Sequence, residues 1–110
     1  MEGEDFFDVT ETYVVVMKDG KTIAEGRIHY EVFENIWEEE MEIHDRQNHD
    51  DALIINGKRY QSAELSEEDG YEIEWGDERE LNTYDTYDEA DSAFEDYVKY
   101  EMERQGKGDN

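Results

Sequence analysis

Two apolar, β-branched runs open the ordered part of the chain, Thr10–Lys18 and Lys21–Tyr30, with Asp19-Gly20 between them. Both turn residues tolerate positive φ, so the pattern predicts a β-hairpin closed by a type I′ turn. Val14 and Val16 fall on one face of the first strand, with Tyr13, Val15 and Met17 on the other. Apolar residues on both faces predict a central strand buried on two sides. In the return strand Ile28, Tyr30 and Val32 alternate with His29 and Glu31, and Gly26 points to a bulge.

Glu31–His44 fits two periods. At 3.6 residues per turn, Val32, Phe33, Ile36, Trp37 and Met41 make one stripe; at two, Trp37, Met41 and Ile43 do. Because Glu favours helix over strand, the expectation is a helix over Val32–Glu40, with a strand from Met41 as its competitor. Asp45–Asp51 (DRQNHDD) predicts a polar loop. Ala52–Ile55, Asn56-Gly57 and Lys58–Ala63 predict a second hairpin, and Ser66–Gly70 a turn. In the next stretch Tyr71, Ile73 and Trp75 share a face expected to enter the core, and Glu72 and Glu74 share the opposite one. Gly70 and Gly76 are expected to bound this strand, and Asp77–Thr86 to be a polar connector.

From Thr86 the period becomes helical. Tyr87, Ala90, Phe94, Tyr97, Val98 and Met102 form the apolar stripe, with Asp88, Asp91, Glu95, Asp96 and Glu103 opposite. Thr86 with Glu89 reads as a capping box, and Arg104 and Lys107 suit the C-terminal end of the dipole, before Gly106 and Gly108 end the helix. The predicted fold is α+β: an antiparallel sheet of four to six strands built from hairpins, with the C-terminal helix packed on one face. The 110 residues suffice for a single domain, 1–110, with 1–5 and 106–110 as loose ends.

Charge changes this picture more than composition does. Hydrophobic residues are 35% and charged residues 40%, a balance that favours disorder, but 8 Tyr, 4 Phe and 2 Trp grouped in periodic runs argue for a core. The formal net charge is −24, from 34 acidic and 10 basic residues. A magnitude of about 2–8 keeps a small domain soluble, and a larger one works against the compact state, so the excess has a purpose outside the fold. Duplex DNA carries one charge per ~1.7 Å of axis, and a compact domain of this size is about 30–40 Å across, so the two charge densities are of one order. Such a surface repels phosphates and anionic membranes, which excludes direct nucleic-acid binding. Without Cys there is neither a disulfide nor a thiolate metal site. The acidic start and the absence of a long apolar run predict no signal peptide and no membrane span, hence a cytoplasmic protein.

Little points to catalysis. The imidazoles are His29, His44 and His49; His44-Asp45 and His49-Asp50-Asp51 are the one grouping with the residue types of a metal site, and it matches no zinc motif. No acidic segment has EF-hand spacing, and no Ser sits in a nucleophile motif, so the expectation is a non-enzyme with no cofactor and no metal. Lys58-Arg59 is read as local compensation of neighbouring acids.

In size, charge and lack of catalytic groups the chain resembles the small acidic DNA-mimic inhibitors that bacteriophages direct against host defence, of the anti-CRISPR and anti-restriction type. The resemblance is one of overall composition and transfers no residues. It implies a basic nucleic-acid-binding protein as partner, a Cas effector being one candidate. Carboxylates about 6.6 Å apart along a strand, or about 6 Å apart along a helix, approximate the spacing of phosphates. The candidate partner-binding residues are Glu38, Glu39, Glu40 and Glu42; Glu67, Glu68 and Asp69; Glu72, Glu74, Asp77 and Glu78; and Asp88, Asp91, Glu95 and Asp96. Two other readings explain the same acidity: an immunity or antitoxin-type protein capping a basic toxin, and adaptation to a salt-loving host. A halophilic domain needs molar salt to fold; a mimic does not.

Overall fold

The computed structural model describes residues 4–38, 41–65 and 67–107. Five strands form one antiparallel sheet: β1 (Glu4–Lys18), β2 (Lys21–Glu38), β3 (Met41–Ile55), β4 (Lys58–Tyr60) and β5 (Tyr71–Tyr84), in the order β4-β3-β2-β1-β5. A single helix, α1 (Tyr87–Lys107), packs on one face. The architecture is the predicted α+β fold. Both expected turns form, with φ of 53° and 80° at Asp19-Gly20 and of 53° and 82° at Asn56-Gly57, positive at both central positions as a type I′ turn requires. Two short 3-10 turns, Ser62–Glu64 and Glu67–Asp69, carry the chain from the β4 edge to the β5 edge.

The core lies between sheet and helix, where Val9, Val14, Val16, Ile28, Val32 and Ile54 are buried with Ala90, Phe94 and Val98 of α1. Each large aliphatic side chain buried there contributes about 1.5–3 kcal/mol. The cap forms where the sequence places it: Thr86 Oγ1 accepts from Glu89 N at 3.2 Å, although Glu89 takes the Thr86 hydroxyl and not its backbone N–H. Removing it with Thr86→Ala is expected to cost about 1 kcal/mol, readable as a lower denaturant midpoint at unchanged slope. Gly106, expected beyond the helix, lies within it. Among the described residues no helix is long and apolar enough to cross a membrane.

Six expectations fail, most of them at sheet edges and strand irregularities. Residues 32–38 of the expected helix are the end of β2, while 39–40 lie outside the described residues. Register shifts between Val32 and Phe33 and between Glu34 and Ile36 break the two-residue alternation there, which gives the stretch its false helical period. The expected loop Asp45–Asp51 belongs to β3, and most of the expected connector Asp77–Thr86 belongs to β5. Both are edge segments: β4 covers only Leu53–Ile55 of β3, and β5 pairs with β1 alone. Edge strands hold their place by backbone pairing and carry polar side chains. Finally, Gly76 does not end its strand; it lets β5 approach β1, since a Cβ there would lie 3.0 Å from the Tyr13 carbonyl oxygen. At this irregularity Trp75, expected in the core, is 51% exposed. The outward face of β1 is likewise only half-buried at Val15 and Met17, so that strand is fully covered on one side and not on two.

The long strands set the shape of the molecule. The Cα trace spans 52 × 28 × 20 Å with a radius of gyration of 15.6 Å, against ~13 Å for a compact chain of about this length. Strands of 14 to 18 residues make a long body, not the compact domain the sequence length alone implies.

Candidate functional site

The predicted acids do not converge on one place. Glu68, Asp69, Glu72, Glu74, Asp77 and Glu78 follow one another along the β5 edge and the turn that leads into it, all with exposed side chains. Glu80 extends this row, and Glu25, cross-strand from Val15 as Glu74 is on the other side, adds to the same face. Neither was singled out from the sequence, because Glu80 sat in the supposed connector and Glu25 is isolated along the chain. Arg79, the one cation in the β5 sequence, reaches across to the buried Glu11 at 2.8 Å. The strand thus spends its positive charge inward and keeps its carboxylates outward.

The other groups fare differently. Glu38 ends β2, Glu42 stands near the start of β3 opposite Trp37, and Glu67 opens the second 3-10 turn. Glu39 and Glu40 lie outside the described residues. On α1, Asp88 and Asp96 are exposed as expected. Asp91 is half-buried and, with Glu95, leans over the sheet toward Asp50. Arg59 answers that trio, 2.9 Å from Glu95 and 4.0 Å from Asp50, and its hydrogen bond to Glu95 holds the guanidinium pKa above its usual value. Burial raises the Asp50 pKa, with Arg59 opposing. Arg59 thus compensates these acids, as the reading of Lys58-Arg59 anticipates in part, while Glu95 keeps an exposed side chain.

A second feature lies on the sheet face turned away from α1. Residues paired across strands share a face, and the rows Asp51–Glu31–Thr10–Glu80 and Leu53–His29–Thr12–Glu78 run side by side there. His29 is 2% exposed, and its ring meets Trp75 edge-on at 4.7 Å. Its Nε2 stands 3.5 Å from Glu31 Oε1 and 3.8 Å from Asp51 Oδ2. Burial lowers the His29 pKa against the pull of Asp51 and Glu78, so the ring is neutral near pH 7. Asp51 accepts hydrogen bonds from the Ser62 backbone N–H and hydroxyl. His29, Glu31 and Ser62 line a cleft of about 380 Å³ together with Trp75 and Glu78. Sequence reasoning had put Asp51 in a loop with His49; instead His49 turns to Glu34 at 2.7 Å and packs its ring on Phe7 and Tyr87. The β2 alternation that pairs His29 with Glu31 was the available signal.

No protein-family model matches the chain, and neither the curated proteins nor the solved structures contain a match to it.

Proposed function

We propose that the protein is a non-catalytic inhibitor that presents carboxylates in place of nucleic-acid phosphates and occupies the basic groove of a nucleic-acid-binding host-defence protein, such as a CRISPR–Cas effector or a restriction enzyme, in the host cytoplasm. The observation that carries this reading is the exposed acidic edge of β5 on an elongated body. A net charge of −24 on a 52 Å length is about one charge per 2–3 Å, close to the ~1.7 Å of duplex DNA. Alternate β5 side chains repeat at about 6.6 Å, so Glu72 and Glu74 form a short phosphate-like row on a rigid backbone. Fixed carboxylates attract a positive groove at long range without base contacts and speed encounter by about 10–10³ at low salt.

The test is capture from a bacterial lysate on the immobilised protein at 0.1 M salt. DNA- or RNA-binding proteins are expected on the column, released by added duplex DNA and by 1 M salt, where the Debye length falls to about 3 Å. Captured proteins that duplex DNA cannot displace would refute mimicry and favour the toxin-capping reading. Circular dichroism at 0.1 M salt separates the halophilic reading, which requires an unfolded chain there.

A further inference from the structure

We infer that His29, Glu31 and Asp51 form a binding site for one divalent transition-metal ion of the zinc class. The inference is independent of the acidic edge and of any partner that edge binds. Two of the residues, His29 and Glu31, stand two apart on β2 and so share a face; the third, Asp51 of β3, is the direct cross-strand neighbour of Glu31. Two adjacent strands near the middle of the sheet therefore fix all three side chains from rigid backbone.

The distances select the occupant. Imidazole Nε2 lies 3.5 and 3.8 Å from the two carboxylate oxygens, and the three ligand atoms all fall within 4.8 Å of one another. A charge-assisted N–H to carboxylate hydrogen bond closes to about 2.7–2.9 Å, well short of what is seen. A zinc ion with bonds of about 2.1 Å in tetrahedral geometry holds its ligand atoms about 3.4 Å apart. The arrangement is thus already near the span of a metal and too wide for a direct hydrogen bond.

His29 supplies the second, independent observation. The side chain is almost completely buried, yet neither ring nitrogen has a hydrogen-bond partner, and Nε2 points at the two carboxylates. Buried polar groups are nearly always satisfied, so an imidazole left this way at the head of two acids is a ligand awaiting a cation. Neutral imidazole is the ligating form, and one nitrogen with two oxygens suits a borderline ion such as Zn²⁺ better than the all-oxygen shell preferred by Mg²⁺ or Ca²⁺. The surroundings match a metal's outer shell: Ser62 orients Asp51 by two hydrogen bonds, and Asn48 reaches Glu31 at 3.5 Å. Three protein ligands leave a fourth position for water, and two of the three, His29 and Glu31, line the cleft.

Isothermal titration with ZnCl₂ in a background of millimolar Mg²⁺, which occupies the diffuse atmosphere of carboxylates, tests this. One saturable Zn²⁺ is expected per chain, with a shifted imidazole nitrogen resonance of His29 in the ¹⁵N spectrum and a higher melting temperature. The variants Glu31→Gln and Asp51→Asn keep the side-chain shapes and leave His29 in place; each is expected to weaken Zn²⁺ binding by at least about tenfold. Their melting without metal establishes that they fold. Zn²⁺ binding that is unchanged in both folded variants, or a His29 resonance that does not move on saturation, would overturn the site. So would a response to Zn²⁺ no different from that to added Mg²⁺.

Discussion

Replacing Glu101 by alanine is expected to destabilise the fold by about 3 kcal/mol, a larger loss than any other single carboxylate removal should give. Glu101, on the sheet-facing side of α1, is 2% exposed. One carboxylate oxygen accepts from the Tyr30 hydroxyl at 3.2 Å; the other accepts from Arg104 and from Gln105 Nε2 at 3.0 Å. Gln105 then passes the connection to the sheet, donating to the Ile54 carbonyl at 3.2 Å and accepting from Gly57 N–H at 2.8 Å. The network pins the end of α1 to the β3–β4 turn. The pKa directions follow from it: burial, with Glu101 beside it, raises Tyr30, and the hydrogen bond to Glu101 raises Arg104. Truncation leaves the Tyr30 hydroxyl and one of the two Gln105 amide hydrogens without an acceptor, the other still reaching the Ile54 carbonyl, and opens a cavity. Arg104 is half-exposed and regains water, which keeps the loss below the upper range for a broken buried pair. Relief of one charge out of −24 offsets only a small part. The melting temperature is expected to fall by about 10–20 °C, and Glu101→Gln, which keeps the volume and an acceptor for Tyr30, by about half as much. Melting of the alanine variant within about 3 °C of the parent would show that the network contributes little.

Glu101 also shows where sequence reading succeeds and where it stops. Seven residues from Phe94 leave it only about 20° from the same line on the helix, so the period alone assigns it to the core face. Its chemical type argued for solvent, and the stripe was read past it. The interior strands were legible because burial writes alternation into β1 and the first half of β2: Val14 and Val16, Ile28, Tyr30 and Val32. The edges were not. Asp45–Asp51 and Asp77–Thr86 pair through backbone groups that every residue carries, so their side chains record solvent and read as loops. Bulges added to this by shifting the alternation at Val32 and at Gly76. The candidate surface followed the same rule. Runs of acids close in sequence, such as Glu72 with Glu74, were found; Glu25 and Glu80 were not, because only strand pairing brings them together. The His29–Glu31–Asp51 cluster needed the β2–β3 register, which no spacing in the sequence encodes.

Reversing Glu72 and Glu74 to Lys together is expected to weaken binding to the captured partner by about 10²-fold while leaving the fold intact. Each reversal changes the charge by two, so this variant carries −20 in place of −24. Both side chains are exposed, and Lys is well tolerated on an edge strand, so melting should stay within about 0.5 kcal/mol of the parent's stability. The comparison that gives the result meaning is a second variant of equal charge, Glu64→Lys with Glu103→Lys, at exposed positions off the β5 edge. If binding follows net charge alone, the two variants lose affinity equally, and β5 is no more than a sample of an acidic surface. If β5 sits in the groove, the control loses only a few-fold through long-range attraction, and the β5 variant loses much more. The few-fold loss common to both variants should fall on the association rate and shrink as salt rises, whereas the excess loss of the β5 variant should fall on the dissociation rate, because carboxylates inside a groove act through close charge pairs. Surface plasmon resonance at two salt concentrations separates these cases. A β5 variant that binds as tightly as the parent would remove the edge strand from the interface and leave the exposed outer acids of α1, Asp88 and Asp96, as the surface to test next.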